Sequence, residues 1–172
     1  MLNQSVSTVP PLRAVRVPFR ATGLVAGTIV TTDQGDLPVE RLLAGDRVRT
    51  VDGSYVELRG TSMVTARNVD MVTFSPMAIL SLTGKVAGAM SIPARQPIRI
   101  RDWRATILAG APTMMADAAS QVDDILVTRA RQLFVDLYQL HFDMPQVLSV
   151  NGLELGCATR RSPEMPRRVT LH

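Results

Sequence analysis

Apolar and polar residues alternate over positions 15–21, with Val15, Val17, Phe19 and Ala21 on one side and Arg16, Pro18 and Arg20 on the other. A period of two marks a strand with one wet face, and Pro18, which lacks a ladder donor, predicts a sheet edge. Beyond Gly23-Leu24-Val25-Ala26-Gly27, the β-branched run Thr28-Ile29-Val30-Thr31-Thr32 ends in the turn residues Asp33-Gln34-Gly35-Asp36 and predicts a hairpin. Positions 37–46 have room for one or two helical turns, because Pro38 suits a first helical position and Gly45 the residue after the last. Positions 47–51 and 55–59 alternate on either side of Asp52-Gly53, the φ > 0 pair that a two-residue hairpin favours.

Further strand-like stretches lie at 71–74, 78–82, 97–101, 133–142 and 146–150. Spacing this regular, punctuated by glycine, predicts an all-β fold. The exception is about 112–130, where Met114, Met115, Ala118, Ala119, Val122, Ile125 and Leu126 recur at helical offsets and predict one short amphipathic helix. Its methionines read as core filler, since an unbranched thioether fits irregular gaps. Residues 1–12, closed by Pro10 and Pro11, read as a flexible tail, residues 13–158 as a single domain, and residues 159–172 as a basic tail.

A length of 172 residues with 46% hydrophobic content suffices for one domain with a buried core and is too short for two ordinary ones. No apolar run approaches the roughly 20 residues of a membrane-spanning helix, and the N-terminal stretch lacks a basic start followed by an apolar block. Neither a membrane partner nor a secretory leader is expected, which points to the cytoplasm. Cys157 is the only cysteine, so no intramolecular disulfide forms. With only His141 and His172 beside it, no standard zinc site assembles, and neither metal nor other cofactor is expected.

The net charge of +4 is modest for this length. Except for Lys85 the cations are arginines, and they cluster near the ends as Arg13, Arg16 and Arg20, then Arg160, Arg161, Arg167 and Arg168. Base-stacking aromatics are not interleaved with them, so solvated tails are favoured over a nucleic-acid site.

Three blocks carry a family likeness. The first is Ala26-Gly27-Thr28-Ile29-Val30-Thr31-Thr32 running through a turn into Leu37-Pro38-Val39-Glu40 and Leu42-Leu43-Ala44-Gly45-Asp46-Arg47-Val48. The second is Ile98-Arg99-Ile100-Arg101-Asp102-Trp103-Arg104-Ala105. The third covers 137–143 and then Val147-Leu148-Ser149-Val150-Asn151-Gly152-Leu153-Glu154. In this order the blocks resemble the Hedgehog/intein, or Hint, domain, in particular bacterial stand-alone Hint-type proteins, over residues 23–155.

The resemblance implies an all-β, Hint-like horseshoe of short, mostly antiparallel strands and hairpins. It also implies a self-cutting chemistry. A cysteine, serine or threonine at the start of the first block attacks the preceding carbonyl, and a histidine supplies a proton to the departing nitrogen. This chain departs from that pattern at each reacting position. Gly23 fills the nucleophile slot, Arg95 the place of the central histidine and Pro145 the place of the closing one. Glycine has no attacking atom, arginine stays protonated, and proline carries no exchangeable ring proton.

The expectation is therefore no catalytic residue, with the fold kept as a structural or protein- or peptide-interaction module. The alternative is autoprocessing through a relocated nucleophile. Thr22 could start an N-to-O shift of the bond from Ala21, Thr28 also flanks the empty slot, and His141 is the fallback proton donor. Their ordinary readings are β-structure packing for the threonines and one satisfied hydrogen bond for the histidine. Arg95, Asp102 and Arg104 are the candidate binding residues, against a reading of the last two as a strand-end ion pair.

Overall fold

The computed structural model describes residues 21–101 and 103–157. In chain order the elements are β1 (Leu24–Val25), β2 (Ile29–Thr32), β3 (Gly35–Pro38), β4 (Arg47–Arg49), β5 (Tyr55–Glu57), β6 (Gly60–Phe74), α1 (Pro76–Thr83), β7 (Met90–Pro93), β8 (Pro97–Ile100), α2 (Trp103–Ala109), β9 (Met114–Asp117), β10 (Val127–His141), β11 (Gln146–Val150) and β12 (Leu153–Cys157). Single 3-10 turns occupy Val39–Arg41 and Ala118–Gln121.

The strands form three four-stranded sheets, ordered β1-β10-β6-β7, β11-β12-β8-β9 and β3-β2-β4-β5, and every pairing is antiparallel. The fold is all-β, as the glycine-punctuated spacing predicts. β6 and β10 run together for their whole length, from Phe74 opposite Val127 to Gly60 opposite His141. At one end of this ribbon Val72, Phe74 and Val127 join the main core with Ile92, Ile98, Leu148 and Leu155. A second, smaller cluster of Ala66, Val69, Met71, Val135 and Leu137 packs along the ribbon.

Local structure departs from the sequence pattern at several points. Positions 78–82 are helical, not extended. Ser75 caps α1 by accepting from the Ala78 amide at 3.1 Å, Pro76 takes the first turn, and Gly84 closes the helix at φ +70°. An apolar run this short fits either state, and the flanking cap and stop residues decide it.

The amphipathic helix expected at about 112–130 is absent. Its methionines lie in β9, paired with β8, and Ala118 and Ala119 donate to the carbonyls of Gln96 and Ala94. The Asp123 carboxylate then accepts from the amides of Ile125, Leu126 and Val127, which starts β10. These three donors compete with helix formation at the place where the periodic pattern would continue. The second helix is α2, which no periodicity announced.

The hairpin predicted at Asp33 is present and joins β2 to β3, while β1 leaves to pair with β10. Two other turns differ from the pattern. The hairpin after β4 has three loop residues rather than two: Thr50 and Ser54 face each other, and Gly53 alone takes positive φ, at +86°. Asp52 fixes this turn by accepting from the hydroxyls of Thr50 and Ser54 and from the Ser54 amide. Those donors hold its carboxyl down at about 2. Pro38 precedes the 3-10 turn instead of opening a helix. Of the strand expected at 15–21, only Ala21 is described, and it is not in a strand; residues 15–20 and both tails lie outside the described residues.

Leu137 is fully buried in the smaller cluster, opposite Val25 of β1. Leu137→Ala is expected to cost about 2–5 kcal/mol. Urea unfolding monitored by circular dichroism checks this, and a loss well below that range would mean the cluster is not a packed core.

Candidate functional site

β1 reaches β10 for two residues only, with Leu24 opposite Tyr138 and Val25 opposite Leu137. That pairing lays the preceding peptide bond, between Thr22 and Gly23, over residues 138 and 139. Gly23 has φ +127°, and a Cβ built there would lie 2.7 Å from the Tyr138 carbonyl oxygen. Both the conformation and the close backbone approach require glycine.

Two glutamine side chains hold this bond. The Gly23 amide donates to Gln96 Oε1 at 2.8 Å, and Gln139 Nε2 donates to the Thr22 carbonyl at 3.4 Å. Gln96 is buried, and its Nε2 donates to the Gly156 carbonyl at 2.8 Å and to the Pro97 carbonyl at 3.3 Å. One carboxamide therefore ties the entry of β1 to β8 and β12.

The turn after β7 explains its orientation. The Gln96 amide closes back on the Pro93 carbonyl at 2.9 Å, which leaves Ala94 and Arg95 at the apex and folds Gln96 inward. Arg95 points outward, with its guanidinium 3.1 Å from Asp117 and its side chain 66% exposed. The side chain that meets the Gly23 amide is thus Gln96, one position beyond the arginine assigned from sequence. Pro145 precedes β11, whose Gln146 faces Cys157. The bridge from Gly23 through Gln96 to Gly156 stops one strand short of it.

The remaining sequence candidates are scattered. Thr28 closes a turn, its hydroxyl and its amide both donating to the Val25 carbonyl, at 2.6 and 3.1 Å. Among the described residues the Thr22 hydroxyl has no hydrogen-bond partner. His141 Nε2 lies 2.8 Å from the Ser62 hydroxyl, on the face of β10 that also carries Gln139. Asp102 lies outside the described residues. Arg104 donates to Gln121 Oε1 at 2.9 Å, so Arg95 and Arg104 brace opposite sides of the 3-10 turn Ala118–Gln121.

Cys157 packs against the main core, and burial pushes its thiol up to about 12, far above a nucleophile's range. Among the described residues no group of three or more His, Cys, Asp or Glu side chains is arranged to hold a metal ion, and no helix is long and apolar enough to cross a membrane.

Chemically, two carboxamides grip the Thr22–Gly23 peptide bond through hydrogen bonds. A carboxamide donates and accepts hydrogen bonds and has no proton to transfer near neutral pH. Periodicity does not single out Gln96. The available signal is a polar residue directly after a Pro-Ala-Arg turn and before the apolar alternation of β8. Gln139 shares the strand face of Val135 and Leu137, so its inward side was legible while its contact was not.

The chain belongs to the Hint domain family, whose model matches residues 22–159. No curated protein matches it. Its fold is similar to the bacterial intein-like domain from Clostridium thermocellum, at 15% identity and TM-score 0.51, covering 81% of this chain and 99% of that one. It is also similar to a splice-inactive variant of the AceL NrdHF class 3 split intein, at 14% identity and TM-score 0.52, covering 81% and 99%. The MchDnaB-1 intein follows at 14% identity and TM-score 0.50, covering 79% of this chain and all of that one. At such identities these likenesses establish the fold and not the activity.

Gln96→Leu leaves the Gly23 amide and the Gly156 carbonyl without this partner, at an expected cost of about 1–3 kcal/mol for each group left unsatisfied. Denaturant unfolding gives the total, and hydrogen exchange at the Gly23 amide should accelerate. Unchanged exchange there would show that the Gln96 contact is not made in solution. Gly23→Ala forces a side chain into the Tyr138 carbonyl and should destabilise by at least about 2 kcal/mol, read from the same unfolding curves.

Proposed function

We propose that this Hint domain does not cut itself and serves as a protein- or peptide-binding module, with the Thr22–Gly23 bond kept intact as a clamped anchor for β1. The observation that carries this reading is the pair of glutamine contacts on a bond whose following residue is a glycine that the Tyr138 carbonyl forbids to grow a side chain. A covalent route needs a nucleophile beside the scissile carbonyl and a proton donor at the leaving nitrogen. Here the nitrogen is met by a neutral carboxamide. General acid assistance alone is typically worth ~10²–10⁴ in rate.

The binding half of the reading rests on a strand edge. β1 covers β10 only at residues 137 and 138, and the Val127 carbonyl is taken by the Asp123 and Asp124 amides, so among the described residues the same edge is unpaired over 128–136. An extended peptide adds to such an edge through main-chain hydrogen bonds.

A relocated nucleophile is the competing reading, and the unengaged Thr22 hydroxyl is what favours it. Attack by Thr22 Oγ1 on the Ala21 carbonyl would pass that acyl group from nitrogen to oxygen, and water would then release residues 1–21. Intact-mass spectrometry separates the two. The expected result is one mass of 18.7 kDa, unchanged by thiol or hydroxylamine. A fragment beginning at Thr22 or Gly23 would overturn the proposal, and loss of that fragment in Thr22→Val would identify the nucleophile.

A further inference from the structure

A basic cleft lies at the seam where the β3-β2-β4-β5 sheet meets the β11-β12-β8-β9 sheet. The seam is closed by a bridge between Thr50 and Leu148 and by the Val51 amide donating to the Val147 carbonyl at 3.1 Å. Thr50 and Leu148 turn inward and are buried. By alternation their neighbours Arg49 and Ser149 come to the outer face of the seam. A cavity of about 340 Å³ there is lined in part by Arg49, Val51, Lys85 and Ser149. A second, of about 220 Å³, includes Val51, Lys85, Arg99, Arg101 and Glu154.

Val51 and Lys85 belong to both cavities. The chain's only lysine therefore stands on the wall they share, its Nζ 3.5 Å from the Ser149 hydroxyl. Four cations face a single carboxylate, and Glu154 is already engaged by Arg99 at 2.6 Å and Arg101 at 2.9 Å. Among the described residues Arg49 meets no carboxylate, and the Lys85 ammonium meets only the Ser149 hydroxyl. The nearby carboxylates are committed elsewhere: Asp52 to the Thr50–Ser54 turn, and Asp36 to the Thr31 hydroxyl at 2.8 Å.

We propose that this double cleft is a binding site for a small diphosphate-type anion, with one charged group beside Arg49 and Ser149, the other beside Arg101, and Lys85 between them. Two adjoining cavities bridged by one ammonium fit two linked oxyanions better than one. Arginine offers each a planar fork, while lysine acts as a point charge between them. The site is independent of the clamp on the Thr22–Gly23 bond and draws on none of its side chains.

Inorganic pyrophosphate is the probe, measured by titration calorimetry and thermal shift on the full chain against sodium chloride of equal ionic strength. The expected result is saturable one-to-one binding, with orthophosphate weaker. Lys85→Gln and Arg49→Gln should each weaken it by about tenfold, the scale of one charge-assisted hydrogen bond. Arg41→Gln, on the 3-10 turn and outside the cleft, should leave it unchanged. Glu154→Gln removes the competing carboxylate and should tighten binding, a direction that loss of folding cannot mimic. Non-saturable binding, an equal loss in all three cation variants, or a weaker complex in Glu154→Gln would each overturn the proposal. So would tighter binding of generic duplex DNA than of pyrophosphate, lost with the termini.

Discussion

The antiparallel register between β6 and β10 is the constraint on which the site depends. Their pairing holds one register from Phe74 and Val127 at one end to Gly60 and His141 at the other. Side chains alternate along a strand, so a slip of one residue would exchange the two faces throughout. Leu137 would leave its cluster, and Gln139 would turn away from the Thr22 carbonyl. The contact of β1 with residues 137 and 138, and with it the placement of Gly23, is set by a pairing whose partners lie some 70 residues apart in the chain.

Such a ribbon does not fix its register by burial alone, because residues 128–134 are exposed. A strand wet on both sides slips easily unless cross-strand pairs pin it. Asp70 on β6 binds Arg131, directly opposite at 3.0 Å, and Arg129 two places along, and the two guanidiniums hold its carboxyl below the usual range. Thr65 donates to Asp136, its register partner, at 2.6 Å, and Arg67 lies over the ring of Phe134, also its partner, at 5.4 Å. Exposed ion pairs contribute little to stability individually. Their role here is to distinguish one alignment from its neighbours, which the apolar pattern in this stretch does not do.

What the sequence made legible follows the same division. The strands at 97–100 and 146–150 and the loop after β4 were readable because alternation and turn residues are local signals. The region 112–130 misled because Met114, Ala118, Val122 and Leu126 recur at a helical spacing for a different reason. They lie in a strand, a 3-10 turn and a loop, each with a separate approach to the same core, so the coincidence of spacing says nothing of the backbone. Gly23 was readable as a residue without a nucleophile. That Gln96 rather than Arg95 meets it depends on a tight turn and on a carbonyl of β12, a contact spanning 60 residues that no window on the chain contains.

The choice of glutamine at position 96 bears on how the fold and the chemistry can separate. The part-buried Gly23 amide finds its acceptor here, and the carbonyl of Gly156 gains a donor in the same contact, so an apolar residue there would remove both bonds. A neutral carboxamide meets both demands at any ordinary pH, and it does so without a titrating proton. A histidine could satisfy one donor and one acceptor only in a single tautomer, and its protonation would put a charge in a buried position. In the proposed reading a carboxamide at this amide, where a titrating group would carry a proton, makes the junction indifferent to pH, and the bond it holds is an ordinary part of the framework.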